Sequence, residues 1–346
     1  MQYTRMGNTG LVVSRLAFGA MTFGSSGGIF ASVSKVGKSL ADEMVGKVLD
    51  AGINFFNSAD VYTEGQSEEM LGKALGSKRK DVVIATKAGF RSGPALIHQG
   101  LSRHHLMEAA EGSLRRLGTD YIDVYLVHRF DQHTPVEETV EALDTLVKQG
   151  KVRYVGFSNW PAWLAATAVG IQDKNNFARF RAAEMYYSLV GRDVEHDVVP
   201  FVEHAGIGIL VWSPLAGGFL SGKYTRENPK GDGGRLTGFD MLPYDREKGH
   251  QLLDKTRTMA NAHGASPAQI ALAWLLSKRA VCSILVGANK ISQLEDNLSA
   301  VNVQLSAEEL RELDEMTAPA PVYPNWFSAR VADMPVKEAL KASAGR

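Results

Sequence analysis

Eight short apolar runs rich in Val, Ile, Phe and Tyr recur along the chain, separated by amphipathic stretches of helical period. They read RLAFGAM, NFFNSAD, VVIATK, DVYLVH, YVGFSN, AAEMYYS, GILVWSPL and VCSILVG, from Arg15 to Gly287. Strand-length apolar runs alternating with helices are the pattern of βα units around a parallel sheet, whose neighbouring strands need a crossover connection that a helix supplies. Eight units with no internal linker predict one closed (β/α)8 barrel, the TIM-barrel architecture, in place of an open sheet. The expected single domain is residues 1–346, with a core over about 3–316 and a tail over 317–346.

Start signals mark several helices. TPVEETVEALDTLVKQG predicts Thr134 as cap, Pro135 in the first turn and Glu137 reaching back, with Val136, Val140, Leu143 and Val147 at helical spacing. SPAQIALAWLL repeats the start with Ser266, Pro267 and Gln269, and SAEELRELDEM with Ser306 and Glu309. The connection from Ser213 to Cys282 is far longer than the others and holds the Gly-rich NPKGDGGRLTGF; its place after a strand's C-terminal end predicts a mobile lid. The tail APAPVYPNWFSARV, from Ala318, reads as a flap over the barrel mouth.

Composition narrows the partner. With 45% hydrophobic residues the 346-residue chain can bury a substantial core, and Lys+Arg equal Asp+Glu at 38 each. No overall field therefore draws it to nucleic acid or anionic lipid, and a small molecule is expected. No apolar run approaches the ~20 residues that span a bilayer, and the N-terminus has no leader pattern, so the expected location is cytoplasmic. The single cysteine, Cys282, lies in the apolar AVCSILVG and reads as a small hydrophobe.

In such barrels chemistry sits at the C-terminal strand ends. Those ends carry Asp60 and Tyr62, Lys87, His128, Ser158 with Asn159, Glu184, and Trp212 with Ser213. Each alone has a structural explanation, as a rim aromatic, a solvated amine or a satisfied hydrogen-bonder; together they converge on one mouth. A tyrosine of pKa about 10 is a poor acid at pH 7, but a neighbouring ammonium stabilises its anion and a histidine can donate or relay a hydrogen bond. Tyr62 is thereby placed to give a proton. Other chemistries on the same barrel fit less well. His104 and His105 are adjacent on a predicted helix and point apart, unlike a metal pair. A Schiff-base lysine would not need Tyr62 and Trp212. GFSNW lacks the second glycine of a hydrolase elbow.

The motifs FFNSADVY, ATK, LVHRFD, VGFSNW, VWSPLAGGFLSGKY and GANKISQLEDN resemble the aldo-keto reductases, in particular the branch with potassium-channel β-subunits and bacterial stress and sugar-linked reductases. The resemblance runs from Tyr3 to about Met316, one motif per strand. It implies hydride transfer from NADPH to an aldehyde or ketone, with Tyr62 protonating the new alkoxide, Lys87 depressing the phenol's pKa and His128 orienting the carbonyl. It assigns the nicotinamide carboxamide to Ser158 and Asn159, ring stacking to Trp212, and the pyrophosphate turn to Ser213, Pro214, Leu215 and Gly217. The adenine end falls to Gly287, Gln293, Asp296 and Asn297. Lys223 and Arg235 favour NADPH over NADH, because a 2′-phosphate needs positive charge. No G-x-G-x-x-G follows a strand, so no Rossmann site is offered.

Two positions depart from the family pattern. Asn57 stands where the family has an aspartate paired with the lysine, so Lys87 is expected to lose its proton at lower pH, unless Asp60 compensates. Glu184 replaces a glutamine that contacts the carboxamide, where its charge would favour the oxidised ring. A weakly catalytic nicotinamide-binding regulatory subunit is the rival function. The substrate is expected to be hydrophobic, cyclic or aromatic, set by residues 24–36, GFRSGP, Trp160, Tyr323, Trp326 and Phe327; the oligomeric state is open.

Overall fold

A computed structural model describes residues 1–25, 33–229, 231, 236, 238 and 240–343. Among the described residues ten strands run β1 Tyr3–Arg5, β2 Val12–Ser14, β3 Leu16–Gly19, β4 Phe55–Asn57, β5 Val83–Ala88, β6 Ile122–Val127, β7 Val152–Ser158, β8 Phe180–Tyr186, β9 Gly208–Trp212 and β10 Val281–Val286. Eight of them, β3 to β10, close into a parallel barrel in sequence order, with β10 pairing back to β3. The (β/α)8 expectation holds, and each of the eight apolar runs contributes one barrel strand.

Alternation along each strand builds two cores. Ala17, Phe55, Val83, Ala85, Val124, Leu126, Ala182, Leu210 and Cys282 fill the barrel interior, while Leu16, Phe18, Phe56, Ile84, Tyr125 and Val127 pack outward against the helices. Burial pushes the Cys282 thiol up to about 12, which suits a small core hydrophobe. The strands themselves do not close the N-terminal end. The antiparallel β1–β2 hairpin does, placing Met6 and Val13 in the interior cluster. Its turn sits so close to the start of β9 that a Cβ on Gly7 would lie 2.5 Å from the Gly206 carbonyl oxygen. This hairpin was not legible as strands, because three-residue runs carry too little pattern.

The helical starts divide. Ser266 caps the helix Pro267–Leu276 by accepting from the Gln269 N–H, and Ser306 with Glu309 makes a full capping box on Ala307–Met316. Thr134 does not cap its helix. Its hydroxyl donates instead to Asp131 Oδ2 at 2.6 Å, Pro135 takes the cap position, and the helix runs Val136–Lys148. Asp131 also accepts from the Leu101 and His133 N–H groups, so the Thr134 hydroxyl is one of three donors gathered on this carboxylate.

The long connection after β9 contains a 3-10 segment Ala216–Ser221 and the helices Arg246–His263 and Pro267–Leu276. Beyond the helix Ala307–Met316, the tail forms the helices Asn325–Arg330 and Met334–Ser343. Asn325 Nδ2 donates to the His196 carbonyl at 2.9 Å, and Tyr323, Trp326 and Phe327 pack on one another. Among the described residues no helix is long and apolar enough to cross a membrane.

Candidate active site

The turn after β4 brings the tyrosine to the mouth. Asn57 ends the strand, and the following chain is held against β5 by the Ser58 N–H on the Ala85 carbonyl at 2.9 Å and the Asp60 N–H on the Lys87 carbonyl at 3.0 Å. Tyr62 then opens a turn in which Thr63 and Glu64 adopt left-handed backbone at φ 50° and 56°. Such conformations cost about 1–3 kcal/mol each and persist only where the surroundings impose them. Here Thr63 Oγ1 donates to the Phe23 carbonyl and Ser67 Oγ to the Ala20 carbonyl, each at 2.8 Å, tying the turn to the segment after β3.

Parallel pairing aligns the other strand ends with that turn: Lys87 opposite Leu126 just before His128, and Ser158 opposite Glu184. Lys87 is fully buried, and its Nζ lies 2.6 Å from Asn57 Oδ1, 2.8 Å from the Ser58 carbonyl, 3.3 Å from Tyr62 Oη and 3.2 Å from Glu184 Oε1. Asn57 Nδ2 donates to Glu184 Oε2 at 2.7 Å. His128 meets the Tyr62 ring edge-on at a centroid separation of 5.7 Å and Phe90 at 4.7 Å.

The environments set the charges. Burial opposes the Lys87 ammonium, but Glu184, with Tyr62 behind it, outweighs burial and holds its pKa above 10.5. The expectation of an easily deprotonated Lys87 is therefore corrected: the Glu184 carboxylate 3.2 Å away favours the ammonium. Burial first, then Lys87 and Arg129, depress His128 well below 6.5, so it is a neutral imidazole at pH 7. Asp60 does not fill the gap. Burial first, then Glu68, raise it to about 8 against Arg116, the Val61 N–H and Lys87, so it is mostly protonated at neutral pH.

Asn57, Tyr62, His128 and Glu184 line a cavity of about 580 Å³, within the usual range for small-molecule sites. Of the expected site residues, Asn57, Tyr62, His128, Asn159, Glu184, Trp212, Ser213, Pro214, Leu215, Gly217, Lys223, Gly287, Gln293 and Asn297 line it. Lys87 lies directly behind. Ser158 is buried behind Asn159, its hydroxyl donating to the Glu184 carbonyl at 2.9 Å and accepting from Asn159 Nδ2 at 2.8 Å. Asp296 is outside the lining, accepting from Ser266 Oγ at 2.8 Å and Gln269 Nε2 at 2.7 Å and so joining two helices. Arg235 lies outside the described residues.

Sequence reasoning missed Met21, Thr22, Arg129 and Met241 in the lining. Phe90 and Val33 come from two of the segments expected to shape the substrate pocket. Trp160, by contrast, is buried on Phe157 and Phe180, and no residue of the tail is in the lining. The expected flap thus contributes nothing to the cavity walls among the described residues.

One wall suits a dinucleotide. Ser213, Ala216, Gly217 and Gly218 take positive φ of 51°, 49°, 68° and 92°, curling the backbone into a concavity of the kind that cradles phosphates, with Lys223 beside it. Trp212 is fixed by its Nε1–H on Asn159 Oδ1 at 3.0 Å, and Asn159 in turn donates to the His128 carbonyl at 3.1 Å.

Residues 15–318 match the Aldo/keto reductase family. The chain belongs to that family. It is 37% identical over 315 residues to a rice (Oryza sativa subsp. japonica) protein named "Probable voltage-gated potassium channel subunit beta", covering 88% of this chain and 92% of that one. It is 33% identical to the versiconal hemiacetal acetate reductase of Aspergillus parasiticus, covering 94% of this chain and 99% of that one. With the oxidoreductase YrpG of Bacillus subtilis (strain 168) the identity is 34%, covering 91% and 96%. The aldo/keto reductase match spans the whole barrel from the start of β3.

Proposed function

We propose that the chain catalyses the NADPH-dependent reduction of an aldehyde or ketone to an alcohol, reversibly, with Tyr62 as proton donor. The observation that carries this reading is the buried Lys87 ammonium 3.3 Å from the hydroxyl of Tyr62, which lines the cavity together with a neutral His128. When bound, the dinucleotide supplies the hydride. Asn159 and Trp212 would position its nicotinamide, the turn from Ser213 to Gly217 its diphosphate, Gly287, Gln293 and Asn297 its adenine end, and Lys223 a 2′-phosphate.

The chain's own chemistry is proton delivery. As the carbonyl oxygen takes on negative charge, the Tyr62 Oη proton moves to it and the electron pair stays on the phenolate, which Lys87 stabilises at short range. His128, uncharged, can offer a hydrogen bond to the same oxygen without competing for the proton. In the reverse direction the phenolate takes the alcohol's proton. Met21, Val33, Phe90, Trp212 and Met241 give the cavity apolar walls, which suit a hydrophobic, cyclic or aromatic carbonyl.

The likeness to the rice channel-subunit protein supports a second reading, a nicotinamide-binding regulatory protein with weak turnover. Following NADPH absorbance with 4-nitrobenzaldehyde separates the two. Many turnovers per protein, reduced about 10²–10⁴-fold in Tyr62→Phe with NADPH affinity nearly intact, is the expected result. Oxidation that stops at one equivalent would favour the regulatory reading. A Tyr62→Phe variant within a few-fold of the parent would remove Tyr62 as the acid.

A further inference from the structure

Asn57 and Glu184, the two positions that the resemblance to the aldo-keto reductases marks as departures, touch each other across 127 residues of sequence. The Lys87 ammonium closes the triangle, 2.6 Å from the amide oxygen of one and 3.2 Å from the carboxylate of the other. The triangle admits one amide orientation. Flipping Asn57 would turn its NH2 toward an ammonium and its oxygen toward a carboxylate, losing both contacts.

The remaining groups around Lys87 carry no balancing charge at neutral pH. Tyr62 is the acid itself, Ser58 offers only a carbonyl, Asp60 holds its proton, and His128 is uncharged. Among the described residues, Glu184 supplies the one carboxylate within ion-pair distance of the ammonium. A fully buried ammonium with no carboxylate at hand gives up its proton, and a neutral amine does not stabilise a phenolate.

We propose that Glu184 is the counter-ion of Lys87, and that Asn57 and Glu184 form an exchanged amide–carboxylate pair in which the charge serving the proton-donating tyrosine resides on β8 and the bridging amide on β4. This rests on the reductase reading for the use of Tyr62, but the ion pair stands on geometry alone. Glu184 is then a positioning residue that acts through Lys87. Its Oε1 is turned to the lysine and its Oε2 to the asparagine, so it serves Lys87 ahead of recognising a carboxamide.

Because Asn and Asp, and Gln and Glu, share their shapes, the pair can be exchanged without changing its atoms' positions. The parent, Glu184→Gln, Asn57→Asp and the double variant Asn57→Asp/Glu184→Gln form the test. The ionisation of Lys87 is followed by NMR of 15N-labelled lysine side chains in the ligand-free proteins, assigned with Lys87→Met. The pH dependence of kcat/KM for aldehyde reduction is measured in parallel.

In Glu184→Gln we expect Lys87 to titrate at least one unit lower, and kcat/KM to fall about tenfold or more above the new pKa. The double variant should recover both, with kcat/KM within about threefold of the parent. Asn57→Asp alone sets two carboxylates on one ammonium and should bind an extra proton in the neutral range. An unmoved Lys87 in Glu184→Gln, or a double variant no better than that single one, overturns the proposal. Should Glu184→Gln fail to fold, the double variant decides: recovery of the fold with a charged Lys87 supports the exchange, and failure overturns it. If the parent reduces no carbonyl, the reductase reading falls, while the lysine titration still judges the ion pair.

Discussion

Asp60 offers a perturbation whose size follows from its burial. The side chain is 5% exposed, neither carboxyl oxygen makes a hydrogen bond of good geometry, and its pKa stands at about 8. In the unfolded chain the same group ionises near 3.8. Between those values the folded protein holds a proton that the unfolded chain has released, so stability falls as pH rises, by about 1.4 kcal/mol per unit. By pH 7 the cost is roughly 4 kcal/mol relative to acid solution. Asp60→Asn keeps the shape of the protonated acid and removes the titration. Its stability relative to the parent should therefore grow from about pH 5 to pH 8 and level off beyond, an advantage of several kcal/mol. Urea midpoints for both proteins at half-unit pH steps measure it, with activity at pH 7 as a check that the site is intact. A pH-independent offset between the two proteins, or an advantage that shrinks as pH rises, would refute the argument that Asp60 is buried as the neutral acid.

Two further outcomes follow from the geometry. Lys223→Ala should lower NADPH affinity about ten- to a hundredfold, the loss of one charge-assisted phosphate contact of about 1.5–3 kcal/mol, while leaving NADH affinity nearly constant; fluorescence titration showing equal losses would place the 2′-phosphate elsewhere. Gly72→Ala puts a Cβ 2.3 Å from the Leu117 carbonyl oxygen, where the helices Gln66–Leu75 and Arg103–Leu117 meet, so the variant should lose about 1–3 kcal/mol despite alanine's better helix propensity. A thermal melt at or above the parent's would show that the contact yields freely.

The sequence by itself determined the barrel and most of its mouth. Strand and helix periods are local, and once eight βα units are recognised, the C-terminal end of every strand must face the same side; Tyr62, Lys87, His128, Asn159 and Trp212 then converge without further information. Tertiary structure decided how these groups pair. Asn57 and Glu184 lie on strands far apart in sequence, and only barrel closure brings the Glu184 carboxylate to the lysine. Position alone suggested Asp60 as a substitute, yet burial beside Glu68 leaves it protonated. Ser158 and Asp296 match site motifs, but their polar atoms are taken up by the Glu184 carbonyl and by Ser266 and Gln269. Thr134 had the marks of a helix cap, but the helix starts one residue later with Pro135 at the cap, and the Thr134 hydroxyl donates to Asp131. For Asn57, Glu184, Ser158 and Asp296 the outcome turns on distance between groups remote in sequence, and for Asp60 on desolvation, quantities that a pattern of residue types does not contain.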